Sequence, residues 1–324
     1  MEERRPSSTA LMAAMARAAH LILDAEPKIL RDDLALGFSG AENEAALLAA
    51  LEARLTEFAR RTHPDLAPAV FKFYRAFVPM RNRYTEDELS KAIQRGVSQY
   101  VILGAGLDSF AYRNRDQTGV LRVFEVDHPA TQQWKRARLR ELNVALPSNL
   151  TFVPLDFEQQ RLREALRAGG YRPEVPTFFS WLGVTQYLTE EAIFATLQEV
   201  ASSASGSELV FEYSLRESLL DEENRQMLAV FKAATAARGE PWLSLFEPAS
   251  LAVRLKELGF AQVSDFGPEE ANARYFAGRT DGLRIRVRTT HLMKAQVGSV
   301  PNQGGRPILP DSSLQHQPYK RKES

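Results

Sequence analysis

The sequence predicts an α/β fold, with a seven-stranded, mostly parallel sheet, helices on both faces and an N-terminal helical cap. Three observations support this prediction. The first 95 or so residues carry only helical apolar periodicity. From residue 97 onward, short β-rich runs alternate with helical segments, which is typical of βαβ units in a parallel sheet. Five such strands and a late pair of strand-like segments together indicate seven strands.

Composition fits a globular chain that can bury a sizeable core, since 44% of its 324 residues are hydrophobic and 25% are charged. Lys+Arg and Asp+Glu both number 41, and a formal net charge of zero argues against nucleic acid as a partner. The absence of cysteine excludes disulfides, thiolate metal sites and cysteine nucleophiles. No two of the 5 histidines have metal-ligand spacing, so we expect no metal.

The sequence contains no run of 18 or more consecutive apolar residues. The first apolar stretch is interrupted by Arg17 and His20, which argues against a secretory signal. We therefore expect a cytoplasmic protein with no membrane partner.

Residues 1–95 are predicted to form the helical cap. A capping residue at positions 7–9 starts the first helix, and a leucine-rich stripe marks a second over 41–59. A third helix follows Pro64 and contains the aromatic cluster Phe71–Phe77, which we expect to be core. Thr85 starts a fourth helix, and Gly96 ends it.

Residues 96–295 are predicted to form the sheet domain, and 296–324, with its many glycines and prolines, a disordered tail. In segment 283–290 three arginines alternate with Ile285, Val287 and Thr289, which predicts an antiparallel or edge strand with one solvated face. The other strands are predicted at 100–103, 121–126, 150–154, 177–182, 208–213 and 261–266, and the helices at 130–142, 157–168, 189–201, 215–238 and from Pro248 to Gly259.

One loop carries the features of a ligand site. The apolar strand Tyr100–Leu103 runs into Gly104, Ala105 and Gly106, where glycines permit a tight turn and close approach of a ligand to the backbone. At the end of the next strand, about 20 residues on, Glu125 or Asp127 supplies the carboxylate that commonly binds a ribose diol. The loop therefore predicts a nucleoside-binding site.

The residues after Gly106 favour a nucleoside without phosphate. Ser109 replaces the third glycine of a pyrophosphate fingerprint, and the carboxylate of Asp108 would repel a pyrophosphate nearby. The same carboxylate suits a cationic ligand, and Asp156 follows the third strand, where an adenine edge would lie. S-adenosylmethionine meets this description. A nicotinamide-dependent oxidoreductase and a non-catalytic interaction protein remain the alternatives.

Three runs carry a family resemblance: LGAGLDSFAYR (Leu103–Arg113), FEVDHP (Phe124–Pro129) and PLDF (Pro154–Phe157). They resemble the leucine carboxyl methyltransferase family, in particular its bacterial members. The similarity extends to SSTALMAAMARAAH and FFSWLGVTQYLT and covers most of residues 7–290. It implies a Rossmann-like class I S-adenosylmethionine-dependent methyltransferase with its helical cap over the cofactor.

The resemblance also implies roles for single residues. Gly104 and Gly106 would line the methionine part of the cofactor. Asp127 would hold the ribose hydroxyls. Asp156 and Phe157 would face the adenine.

For the cofactor carboxylate the resemblance implies an arginine shortly before the first strand. Arg81 or Arg83 occupies that place, and Arg17 in the first helix is a further candidate. Leu182 stands where many relatives carry a glutamate, so acceptor chemistry cannot be transferred from the protein-modifying relatives.

We expect in-line methyl transfer to an oxygen of a small-molecule acceptor. A carboxylate acceptor would need no base, because it is already an anion at neutral pH. A hydroxyl acceptor would need a base, and the sequence offers His128, Tyr187 and Glu212.

Overall fold

A computed structural model describes residues 7–62, 66–114, 119 and 121–298. The predicted tail lies outside the described residues from position 299 onward. Within the described part, no helix is long and apolar enough to cross a membrane. In the same ranges, no group of 3 or more histidine and acidic side chains is arranged to hold a metal ion.

Within the described ranges, seven strands form one open sheet in the order β3-β2-β1-β4-β5-β7-β6. The first five are parallel, and β7 runs antiparallel to both of its neighbours. This confirms the predicted fold class. The strands are β1 (Gln99–Leu103), β2 (Arg122–Asp127), β3 (Leu150–Pro154), β4 (Thr177–Trp181), β5 (Glu208–Ser214), β6 (Phe260–Phe266) and β7 (Thr290–Val297).

Helices cover both faces of the sheet, because side chains alternate along each strand. Tyr100 and Ile102 of β1 pack into a core shared with the N-terminal helices. Val101 and Leu103 pack into a second core on the other face. The helices are α1 (Ser8–Leu23), α2 (Ala35–Ser39), α3 (Glu44–Thr62), α4 (Ala67–Gln94), α5 (Phe110–Arg113), α6 (Pro129–Glu141), α7 (Leu162–Ala168), α8 (Glu190–Ala201), α9 (Glu222–Ala236), α10 (Pro248–Glu257) and α11 (Pro268–Ala271).

Helix α4 corrects one prediction, because the two helices expected after Pro64 and Thr85 are a single helix with Pro79 in its interior. Proline removes one backbone hydrogen bond. Burial of Phe77 and Met80 in the core offsets that loss. Positions 81 and 83 therefore lie on one helix, about 200° apart around its axis, and point in opposite directions.

The strand predicted at 283–290 is wrong, since the strand is Thr290–Val297 and lies inside the sheet between β5 and β6. Leu283, Ile285 and Val287 are buried and the arginines between them are exposed, but the segment forms no strand. The alternation arises because this segment packs one side against the core and leaves the other side in solvent. Because β7 continues to Val297, the first residues assigned to the tail pair within the sheet.

Two helices begin later than predicted. Helix α7 begins at Leu162 and not at 157, and α9 begins at Glu222 and not at 215. In α9 the cap is Asp221, whose carboxylate accepts from the backbone N–H of Asn224 at 2.9 Å.

Candidate functional site

A cavity of about 250 Å³ lies where β1, β2 and β4 end, beneath the start of α1. The strand order reverses between β1 and β4, and ligands of open α/β sheets bind at such a point. The cavity wall contains eight of the ten residues predicted for the site, namely Arg17, Arg81, Gly104, Ala105, Gly106, Asp127, Asp156 and Phe157.

The glycine loop is fixed to the end of β2. Ala105 N–H donates to the carbonyl oxygen of Val126 at 3.0 Å, and Gly106 N–H donates to the Asp127 carboxylate. Gly106 has a φ of +47°, and a Cβ there would lie 3.1 Å from the Cβ of Ala10 in α1. A glycine is therefore needed both for the turn and for the close approach of α1.

Asp127 closes β2 with its carboxylate at the cavity wall. Besides Gly106 N–H, it accepts the backbone N–H of His128 at 2.6 Å. Burial raises its pKa, and these two N–H groups oppose the rise. Carboxylate oxygens have further lone pairs, so Asp127 is able to accept additional hydrogen bonds from ligand hydroxyls.

The carboxylate of Asp108 lies in the cavity wall, two residues after Gly106. This carboxylate accepts the backbone N–H of Phe110 at 2.7 Å and the side-chain amide of Asn82 at 3.1 Å. Gly106 N–H is likewise taken by a carboxylate. The loop therefore presents negative charge where a dinucleotide would require free N–H donors.

The two candidate arginines of α4 point in opposite directions. Arg81 lines the cavity, and its Nη1 pairs with Glu212 at 2.5 Å. A Cβ on Gly183 would lie 2.9 Å from that nitrogen, so the guanidinium packs directly on the Gly183 backbone. Arg83 is outside the cavity, about half-exposed, and pairs with Asp87 at 2.7 Å. The geometry favours Arg81 over Arg83.

Arg17 lines the cavity, but its guanidinium donates hydrogen bonds to other protein groups. Its Nε pairs with Asp32 at 2.7 Å, and its Nη2 donates to the carbonyl oxygen of Leu107 at 2.6 Å. Asp32 also accepts the hydroxyl of Ser109 at 2.6 Å. Arg17 thus braces the glycine loop. Sequence reasoning missed Asp32, which no motif marks.

Glu125 lies two positions before Asp127 on the same face of β2, yet it is outside the cavity wall. Its carboxylate pairs with the buried Lys135 at 2.7 Å and accepts the Tyr112 hydroxyl at 3.4 Å. Burial raises the pKa of Glu125 to about 7, although Lys135 opposes the shift. Between the two acidic candidates, the structure brings only Asp127 to the cavity.

Asp156 and Phe157 form the part of the wall that follows β3. Asp156 accepts the backbone N–H of Glu158 at 3.0 Å and the side-chain amide of Gln159 at 2.8 Å. The ring centroid of Phe157 lies 5.6 Å from that of Trp181. Asp156 thus organises a turn and also faces the cavity.

A second cavity of about 70 Å³ adjoins the first, and we call it the inner chamber. The two share one wall, made of Thr9, Ala13, Arg81, Gly183 and Tyr187. Asp156 and Phe157 do not line the chamber, so it lies at the Arg81 end of the larger cavity. The rest of its wall comprises Met12, Phe73, Tyr74, Phe77, Val78, Gln186, Glu212, Phe231, Ala234, Thr235, Arg238, Trp242 and Thr290.

The three candidate bases occupy different surroundings. His128 lines the larger cavity, where its Nδ1 accepts the Ala130 N–H at 3.2 Å. Tyr187 faces both cavities, and burial raises the pKa of its hydroxyl, which therefore stays protonated. Glu212 faces the inner chamber and is paired with Arg81. No free base therefore stands in the shared wall.

Glu240 ties the start of α1 over the larger cavity. Its carboxylate accepts the Ser7 hydroxyl at 2.7 Å and the Ser8 hydroxyl at 2.9 Å. Both Ser7 and Glu240 line the cavity. We call this contact the latch, and sequence reasoning missed it.

Comparison with known proteins agrees with this geometry. Residues 10–201 match the family model described as leucine carboxyl methyltransferase. The chain is 31% identical over 304 residues to YktD of Bacillus subtilis, which is described as an S-adenosyl-L-methionine-dependent methyltransferase. The match covers 91% of this chain and 99% of YktD. A similarly named Frankia alni protein is 33% identical over 185 residues, covering 57% of this chain and 61% of that protein.

Two solved structures share the fold. A DUF574 family protein from Streptomyces avermitilis has a TM-score of 0.55 at 15% identity, covering 90% of this chain and 98% of its own. A Thermobifida fusca protein described as a methyltransferase has a TM-score of 0.54 at 16% identity, covering 92% of this chain and 97% of its own.

Proposed function

Because this chain belongs to the leucine carboxyl methyltransferase family and is an S-adenosylmethionine-dependent methyltransferase, we propose that the larger cavity holds the cofactor and the inner chamber holds a small-molecule acceptor. The methyl group passes to an oxygen of that acceptor. The observation that carries this proposal is the shared wall, which joins the two cavities at the Arg81 end.

The residues around the larger cavity suit S-adenosylmethionine. Asp127 accepts hydrogen bonds from the ribose hydroxyls, and Asp156 and Phe157 flank the adenine. Arg81 keeps Nη2 for the cofactor carboxylate while Nη1 remains paired with Glu212. When bound, the cofactor supplies a methyl group on a cationic sulfur, and the carboxylate of Asp108 is compatible with that positive charge.

The shared wall supports methyl transfer across it. Ala13 and Gly183 have small side chains or none, so reactants on the two sides are able to approach closely. Holding two reactants in near-attack geometry contributes about 7–11 kcal/mol to lowering a barrier. The start of helix α1, fastened by the latch, forms part of the wall of the larger cavity and would shield bound reactants from water on that side.

Charge in the inner chamber supports oxygen as the acceptor atom. Arg81 and Glu212 neutralise each other, and Arg238 is the chamber-wall charge for which the described residues provide no ion pair. A protonated amine would be repelled, whereas a hydroxyl or a carboxylate would not. A carboxylate would react without a base, and a hydroxyl would be able to donate to Glu212.

Calorimetry tests the proposal with S-adenosylhomocysteine and NADH on the full chain. We expect S-adenosylhomocysteine to bind at micromolar levels and NADH not to bind. Arg81→Gln should weaken S-adenosylhomocysteine binding about tenfold, because one charge-assisted hydrogen bond is lost. Arg83→Gln is the matched control and should leave binding unchanged.

Binding of NADH without binding of S-adenosylhomocysteine would replace the proposal with the oxidoreductase alternative. Binding of neither would favour a non-catalytic protein. Equal losses in the Arg81 and Arg83 variants would remove the cofactor-carboxylate role from Arg81.

A further inference from the structure

We infer that the inner chamber selects an acceptor with a flat aromatic body and one anionic group, which Arg238 binds at the end remote from the methyl-accepting oxygen. This inference rests on the proposed function, because it names the class of acceptor at the same site. It is carried by the aromatic lining of the chamber, its unpartnered polar atoms and its charge.

The lining of the chamber suits an aromatic group. Phe231 lies in its wall, with ring centroids 5.2 Å from Phe73 and 6.3 Å from Trp242, and the Phe231 and Trp242 planes are tilted by 29°. The free volume is about 70 Å³, and one water molecule takes roughly 30 Å³ of liquid. The chamber therefore has room for about two water molecules, and an aromatic ring enters only if the partly exposed side chains of Tyr74 and Trp242 move aside.

Among the described residues, three residues of the chamber wall carry a buried polar atom without a hydrogen-bond partner. One is Arg81, at Nε, in the wall shared with the larger cavity, and the other two, Gln186 and Trp242, line only the inner chamber. Gln186 is 5% exposed, and its Oε1 is buried without a hydrogen bond. The Nε1 of Trp242 is also buried without an acceptor. Each such group costs about 1–3 kcal/mol. A ligand with both a donor and an acceptor would satisfy Gln186 and Trp242.

The charges place an anion at the mouth of the chamber. Arg238 is exposed and lines the inner chamber without lining the larger cavity, so it stands on the side away from the cofactor. Within the described residues, Arg238 forms no ion pair. Arg54 of α3 is close by, and burial together with the charge of Arg238 lowers the pKa of Arg54. An anion bound between them would relieve this repulsion.

The same charges disfavour other acceptors. A cationic molecule would meet Arg238 at the mouth, and the carboxylate that the described chamber wall offers is that of Glu212, which is already paired with Arg81. A neutral molecule would leave Arg238 without a role. An aromatic anion uses the rings, the unpartnered polar atoms and the arginine together.

Three phenols that differ only in one end group test the inference by calorimetry, in the presence and absence of S-adenosylhomocysteine. They are 4-hydroxyphenylacetate, which is anionic, 4-hydroxyphenylacetamide, which is neutral, and tyramine, which is cationic. We expect the anion to bind about tenfold more tightly than the amide, and tyramine to bind most weakly. The saturated analogue 4-hydroxycyclohexylacetate should bind more weakly than its aromatic counterpart.

Arg238→Gln should remove the advantage of the anion over the amide. The matched control is Arg286→Gln, an exposed arginine outside both cavities, which should preserve it. Equal binding of anion and amide in the unmodified protein would overturn the inference. So would an anion advantage that persists in the Arg238 variant, or no binding of any of the phenols.

The two proposals fail in distinguishable ways. If S-adenosylhomocysteine does not bind but the anion binds in an Arg238-dependent manner, the proposed function fails and the ligand class of the chamber stands. If S-adenosylhomocysteine binds and the phenols show no charge preference, the acceptor class fails and the methyl transfer proposal stands.

Discussion

The larger cavity and the inner chamber share a wall but are built from different kinds of structure. The larger cavity is made mainly by turns that follow β1, β2, β3 and β4, where backbone N–H groups and carboxylates face inward. The inner chamber is made mainly by side chains on α1, α4 and α9, most of them apolar or aromatic. The larger cavity is therefore specified by short local sequence motifs, whereas the inner chamber is specified by the packing of helices that are far apart in the sequence.

The strongest test of this separation is Asp127→Ala. In the proposed complex, the ribose hydroxyls donate two hydrogen bonds to the Asp127 carboxylate, worth about 2 kcal/mol each. Their loss should weaken S-adenosylhomocysteine binding about a thousandfold. Binding of 4-hydroxyphenylacetate to the inner chamber should be unchanged. Calorimetry measures both affinities.

The matched control is Asp33→Ala, which changes an exposed aspartate outside both cavities. If the Asp127 variant loses both ligands equally, the two cavities do not act as separate sites.

A second test concerns Glu125, the neighbouring carboxylate that reaches neither cavity. Its folded-state pKa of about 7 lies above the ordinary value of 4.5, so the protonated form is favoured by folding. The stability it contributes is complete below pH 4.5 and is lost as the pH rises through 7. We expect this loss to be on the order of 3 kcal/mol.

Urea unfolding between pH 4.5 and 8 should show the loss in the native protein and not in Glu125→Gln. Glu125→Gln leaves the Lys135 ammonium buried without its carboxylate partner, which by itself could unfold the protein. The double variant Glu125→Gln/Lys135→Met removes this buried charge as well and serves as the control. Affinities for S-adenosylhomocysteine and the phenols should stay unchanged in the double variant. A pH dependence identical to that of the native protein would contradict the role of Glu125.

The smallest effect is expected at the latch. Glu240→Gln weakens the contacts to Ser7 and Ser8, so α1 should open more often and S-adenosylhomocysteine should dissociate about threefold faster, as expected for the loss of part of one charged hydrogen bond. Stopped-flow displacement measures the rate. Glu217→Gln is the control, because it breaks a surface pair with Lys232 instead. An unchanged rate would show that the latch does not limit release.

The sequence predicted the parts of the molecule that depend on neighbouring residues. Alternation of strands and helices predicted the number of strands and located six of the seven, whereas the seventh was expected at 283–290 and lies at Thr290–Val297. Glycines followed by an acidic strand end predicted the larger cavity. The choice between Arg81 and Arg83 depended on knowing that the helix continues through Pro79. Sequence alone argues against such a helix, because proline usually ends or kinks one.

The missed residues act across long sequence separations. Ser7 and Glu240 are 233 positions apart, so no local pattern connects them. Phe73 and Phe77 were expected to be core, and they are buried core residues that also line the inner chamber. Apolar periodicity cannot distinguish a chamber wall from a packed interior, because both bury the same helix face.

The placement of β7 bears on the order in which the protein is made. Strand β6 pairs only with β7 in the described sheet, yet the ribosome synthesises β7 after β6. Until β7 emerges and inserts beside β5, the backbone of β6 has no neighbour and β5 remains an open edge. Nascent chains that stall before Thr290 should therefore aggregate more readily than chains from which β7 has emerged.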